Sequence, residues 1–238
     1  MIAVVRCIIL HSIKYGDSGL ILKALTPDGV QSFFVASYLK NNRNKYPFLS
    51  YPLPIVECQY FTVSGSKLPK VKSLSLAVVP ETQGYDFRRQ AIATFMAECA
   101  LKFVREETRS DDMYSFLESC ILFVQRTPAV SSVYPIQFGF ALASQLGFDI
   151  SGSVNEHDNV VFSLDKGLVS DAPAGILSQT DSMWLQKLIN SGLNEPFAEK
   201  IPMASQKNIF QAMLQYFRFH FPETGQMRSP EILHMIME

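Results

Sequence analysis

The hydrophobic period of this chain changes once, near Pro80, and that change limits its architecture more than any other feature. Before it, apolar residues come in short runs rich in β-branched and aromatic side chains; after it, they recur at three- and four-residue steps. Strands first and helices afterwards make an α+β chain. Ile2–His11 is a nearly continuous apolar run, suited to a strand buried on both faces. Tyr15-Gly16-Asp17-Ser18-Gly19 supplies turn residues before a second strand, Leu20–Thr26. Pro27-Asp28-Gly29 is a tight turn that joins this strand to a third, Val30–Tyr38, as a hairpin. Lys40-Asn41-Asn42-Arg43-Asn44-Lys45 has no apolar residue and reads as a solvated loop. Two more strands, Ile55–Val63 and Val71–Val79, flank a Ser/Gly/Lys/Pro connection. Five short strands in about eighty residues suit a small barrel; an oligonucleotide-binding (OB) barrel and an SH3-like barrel both fit.

Beyond Pro80, Phe87, Ala91, Phe95, Cys99 and Phe103 fall at steps of four, with Ile92, Met96, Ala100 and Val104 in the next row. Together they predict a helix of about twenty residues with a broad apolar face. Ser110 caps a second helix, with Asp111 and Asp112 in its first turn and Met113, Phe116, Leu117, Cys120, Ile121 and Val124 as its stripe. A third starts near Pro135 and ends at Gly147. Residues 148–180 are an irregular insert with a short hairpin around Val160–Val169. Helices over Asp181–Ser191, Ser205–His220 and Pro230–Met237 complete the chain. The expected organisation is a barrel domain over 1–80 and a helical domain over 81–238.

Charge divides at the same place. Residues 1–80 carry nine Lys/Arg against three acids, a net of +6; residues 81–238 carry a net of −7. A basic unit attracts polyanions, whereas an acidic one repels them or binds proteins. The cations of the first part gather in the segments Lys40–Lys45 and Lys67–Lys72, with Lys14 in a third. Lys14, Lys40, Arg43, Lys45, Lys67, Lys70 and Lys72 are therefore the candidate nucleic-acid contacts, and Tyr15, Phe33, Tyr38, Tyr46 and Phe48 are the aromatics near them. Half or more of those five rings read equally well as core residues.

Catalytic signatures are absent: there is no GxxxxGK, GxGxxG after a strand, GxSxG or HExxH. Cys7, Cys58, Cys99 and Cys120 form no C-x-x-C pair and read as buried thiols. The four histidines lack ligand spacing and read as surface or cap residues. The opening MIAVVRCIILHSIKYGD has too short an apolar run for a signal peptide, and no stretch approaches the roughly 18 apolar residues of a membrane span. A soluble cytoplasmic protein, not an enzyme, is the expectation.

The order of segments resembles the RecO family of DNA-repair proteins. The family's strand, tyrosine-glycine-acid step, strand ending in threonine and glycine turn read here as Ile8–His11, Tyr15-Gly16-Asp17, Leu20–Thr26 and Asp28-Gly29. Its third strand and basic loop read as Phe33–Ser37 and Lys40–Lys45. A Phe-x-x-x-Leu-x-x-x-Leu-Gly helix matches Phe138–Gly147, and a basic-Ser step before a last apolar turn matches Arg228-Ser229 with Ile232-Leu233. The resemblance implies an OB barrel followed by a mostly α-helical domain. It further implies a mediator that binds single- and double-stranded DNA and anneals strands. Such a mediator joins RecR, sometimes with RecF, to load the recombinase, and docks the acidic tail of the single-strand-binding protein. No cofactor is implied, and the site of action is the bacterial cytoplasm at the nucleoid. Arg88, Arg89, Lys102 and Arg105, on the side of the first helix expected to be exposed, are candidates for that tail. The chain departs from the family in one respect. Many members place two C-x-x-C pairs after the Leu-Gly helix to hold zinc, whereas this chain has no cysteine after Cys120. Zinc is not expected, and the insert must hold itself by packing and hydrogen bonds. The alternative function is a protein-interaction scaffold whose barrel binds a partner protein instead of DNA.

Overall fold

A computed structural model describes residues 1–40, 43–62, 68–79, 86–105, 110–150, 160–170 and 175–237, with backbone only at 40, 43, 44, 110 and 234–237. By compactness the chain forms two units, Met1–Thr127 with Ser229–Ile236, and Pro128–Arg228.

In the first unit, the strands β1 (Ile2–Tyr15), β2 (Gly19–Thr26) and β3 (Gly29–Val35) form an antiparallel meander. The short strands β4 (Leu39–Lys40) and β5 (Arg43–Asn44) pair only with each other, so the basic segment expected to be a simple loop folds back as a two-residue ladder. A 3₁₀ turn (Pro47–Ser50) leads into β6 (Ile55–Phe61) and β7 (Lys70–Leu76). The five long strands run in the ring order β1-β2-β3-β7-β6. The ring is completed through one parallel bridge, Phe34 to Lys70, so the β3–β7 seam is thin.

Period-2 alternation sets what fills the ring. Cys7, Ile9, Leu22, Phe33, Val56 and Val71 point inward and are buried together. Ile8, Leu25 and Ile55 share the outer face through their register, yet all three are buried. Helices α1 (Phe87–Phe103) and α2 (Ser110–Arg126) account for this, α1 packing on β1 and α2 on β2 and β3. β1 is thus buried on both faces only over Cys7–Leu10; Ile2 and Val4 are exposed, contrary to the expectation for the whole run Ile2–His11, and so is Ile13 beyond it. The apolar rows of α1 face inward as expected from Ala91 onward, but Phe87, its first residue, is 66% exposed. The short helix α6 (Ser229–Met237) returns to this unit: the Ser229 N–H and Oγ–H both donate to Oε2 of Glu98 on α1, at 2.7 and 2.5 Å.

The second unit contains α3 (Tyr134–Gln145), the hairpin β8 (Val160–Ser163) and β9 (Gly167–Ser170), α4 (Gln179–Asn190) and α5 (Met203–His220). The hairpin is held by aromatic packing. Phe162, fully buried, meets Phe140 of α3 at 5.6 Å and Tyr216 of α5 at 5.7 Å between ring centres. The Phe162 N–H donates to Ser182 Oγ, and its carbonyl accepts from the Ile176 N–H. His220, expected at the surface or in a cap, is half-buried: its ring lies 4.3 Å from that of Tyr216 and 4.5 Å from that of Phe148, with Nε2 2.9 Å from the Leu164 carbonyl. Among the described residues no helix is long and apolar enough to cross a membrane.

Candidate nucleic-acid interface

The candidate cations lie far apart in sequence, and three sets of backbone contacts gather their segments near the end of β3. Tyr15, the last residue of β1, pairs with Gly19, which closes the turn 16–18. Ser18 O of that turn accepts from the Tyr38 N–H at 2.7 Å and the Leu39 N–H at 3.3 Å, pinning the start of the basic segment beside it. The segment then doubles back, Lys40 pairing with Arg43, and the Lys45 N–H donates to Tyr38 O at 3.0 Å. Finally, the Phe34 N–H donates to Pro69 O at 2.9 Å, which sets Lys70 beside Phe34. Lys14, Lys45, Lys70 and Lys72 are exposed. Among the described residues none of Lys14, Lys70 and Lys72 forms an ion pair. The Lys45 ammonium lies 5.1 Å from the ring centre of Tyr46, a cation–π contact. Lys40 and Arg43 are placed by their backbone pairing, and Lys67 lies outside the described residues. Arg6 differs from these cations, because its guanidinium bonds Glu118 of α2 at 2.7 Å.

The aromatic candidates separate by strand face. Phe33 and Tyr46 are core residues, and Tyr38 and Phe48 pack against that core. Tyr15 alone of the five stands well out, at 57% exposure. Sequence reasoning passed over two further rings. Phe34 faces outward because Phe33 faces inward, and it lies edge-on to Tyr15 with ring centres 5.8 Å apart. Phe61, at the end of β6, is 40% exposed and sits opposite Lys70. The strict alternation of the Phe33-Phe34 pair was the available signal for Phe34; Phe61 needed the β6–β7 register.

Two thiols, Cys7 and Cys58, lie buried in the barrel interior. Burial pushes the Cys58 thiol up to about 12, and burial followed by proximity to Cys58 pushes the Cys7 thiol up too, so both stay protonated near neutral pH.

Arg88 on α1 and Arg105, two residues beyond its end, are exposed, and Lys102 is half-buried. Arg89 is placed otherwise than expected. Its side chain is only 11% exposed, pairs with the capping Asp86 at 3.2 Å, and donates to the carbonyls of Val124 and Gln125 at the end of α2. It ties two helix ends together. The backbone N–H of Arg89, then its guanidinium, hold the Asp86 carboxyl below its ordinary range even though burial opposes this.

A five-stranded ring with a single parallel seam, carrying its cations at the turn and strand ends beside β3, is the OB class of fold, extended by a mostly α-helical remainder. Comparison with known proteins narrows the class. The family model described as the N-terminal part of recombination protein O matches residues 1–78, and that of its C-terminal part matches residues 84–222. The chain belongs to the RecO family of DNA repair and recombination proteins. Among curated proteins, it is 22% identical over 231 residues to the DNA repair protein RecO of Flavobacterium psychrophilum, covering 96% of each chain. It is 24% identical over 246 residues to that of Porphyromonas gingivalis, covering all of both.

Proposed function

We propose that the basic end of the barrel binds single- and double-stranded DNA through phosphate contacts, and that the protein anneals strands and helps load the recombinase with RecR- and RecF-type partners. One observation carries this reading: the backbone contacts of Ser18 and Phe34 bring three cationic segments to one end of a small barrel. Annealing requires cations that screen the repulsion between two phosphate backbones while the bases stay available. Lysines carried at turn and strand ends meet the first need without reading sequence. The net −7 of residues 81–238 disfavours DNA there and suits contacts with proteins. Arg88, Lys102 and Arg105 are three of the twelve cations of that part, and in this reading they face the acidic tail of the single-strand-binding protein. The reading needs no cofactor or hydrolysis and places the protein in the cytoplasm at the nucleoid.

Salt titration tests it. With roughly four to six phosphates neutralised, log K falls against log salt with a slope of about −3 to −4 on single strands. A flat response overturns the reading. Replacing Arg43, Lys45, Lys67, Lys70 and Lys72 together by Glu abolishes binding of both DNA forms while circular dichroism stays unchanged. Undiminished affinity in that variant makes the barrel a protein-binding scaffold instead.

A further inference from the structure

The cations explain attraction to any nucleic acid but not the apolar row that runs between them. The register places Ile13, Ile21, Phe34, Lys70, Phe61 and Ile2 side by side around the outer face of the ring. Ile2, Ile13 and Phe61 are each at least 40% exposed, and Tyr15 stands beside the row against Phe34. Helices α1 and α2 pack on β1, β2 and β3, where Ile8 and Leu25 are buried; in this row Ile2, Ile13 and Phe61 stay exposed and Ile21 and Phe34 are half-buried. Contiguous exposed apolar surface of this kind marks a contact site.

We infer that Tyr15, Phe34 and Phe61 form a stacking platform for the bases of a single strand, an inference that rests on the DNA-binding reading above. Two features select this occupant. The first is complementarity: Lys70 sits within the row between Phe34 and Phe61, with the exposed Lys72 two residues further along β7. An apolar protein face would leave those ammonium groups opposite nothing, whereas a single strand supplies a phosphate with every base. The second is that Phe34 is held in place. A Cβ at Gly19 would come within 2.8 Å of the Phe34 ring and 2.7 Å of the Tyr15 carbonyl oxygen, so the ring lies over a position with no side chain. It is also locked edge-on by Tyr15. Phe34 and Phe61 are two strand spacings apart, about 10 Å. A base lying on a ring keeps its hydrogen-bonding edge free, so the platform orders a strand without hiding what a complementary strand must read. Duplex bases are already stacked on one another and gain nothing from it.

The test compares a short oligothymidine with a duplex of mixed sequence. Tyr15→Ala and Phe61→Ala each weaken oligothymidine binding by about fivefold to a hundredfold and leave duplex binding within about twofold. Phe61→Trp restores single-strand affinity, and its emission, read beside Trp184, is quenched by oligothymidine and not by duplex. Triple replacement of Lys14, Lys70 and Lys72 by Glu weakens both ligands. If the lysine variant fails to bind and the alanine variants bind oligothymidine normally, the platform is overturned and the DNA reading stands. If the lysine variant binds as before, the DNA reading itself falls. Should the wild-type chain self-associate, and the alanine variants become monomers with unchanged oligothymidine affinity, the row joins two copies of the chain and the inference is overturned.

Discussion

Gly19 and Asp181 show how much can rest on one residue. Gly19 reads in the sequence as a turn residue, and it does follow the turn; its second role, making room for the Phe34 ring, depends on a diagonal contact across β2 and β3 that no local pattern encodes. Gly19→Ala pushes against a backbone carbonyl as well as a ring, and should cost about 1–3 kcal/mol, measured by urea denaturation. Asp181 reads as an ordinary acid in the first turn of a helix, yet it is buried. Burial alone would raise its carboxyl; hydrogen bonds from Ser205, Asn208 and Ser178 outweigh this and hold it below the usual range. A folded-state pKa below the unfolded value stabilises at pH above the unfolded value, near 4, and that stability is lost as pH falls through the lower one. Asp181→Asn should therefore be less stable than wild type at neutral pH and converge with it in acid, which a series of thermal midpoints checks.

Among the elements, the β8–β9 hairpin replaces ligands with rings. Its existence was legible in Val160–Val169, because apolar pairs flank a Gly-containing turn. Its support was not, because Phe140, Phe162 and Tyr216 come from three elements and meet only in space. Phe162→Ala should destabilise the second unit by about 3–5 kcal/mol. A chelator should leave the thermal midpoint of the wild-type chain unchanged, and a drop would reveal a metal. The barrel was legible in the same partial way. Strand positions followed from β-branched runs and turn residues, and the cationic segments from composition alone. The Lys40–Arg43 ladder had no apolar signature to announce it, and the seam at Phe34 depends on pairing between segments far apart in the chain.

At the scale of the molecule, the change of period at Pro80 marks where strands give way to helices, while the first compact unit runs on to Thr127 and takes up 229–236 as well. Periodicity reports local structure, and the choice of packing partner is a tertiary matter. Glu98 on α1, which binds the first residue of α6 twice, has no sequence signal linking it to Ser229. Deleting residues 229–238 should lower the stability of the barrel unit, with Glu98→Ala reproducing about 1–3 kcal/mol of the loss. Hydrogen exchange resolved by segment would show the effect in residues 86–105 and not in 179–190.

Because the first unit is interrupted, its parts reach the ribosome exit at widely separated times. Residues 128–228 are all synthesised before α6 exists, so the second unit can be complete while the first still lacks the helix that Glu98 holds. Domains usually mature in chain order, whereas here the amino-terminal unit cannot be completed until after the second has been synthesised. A barrel with its full complement of helices can form only after translation has passed residue 236.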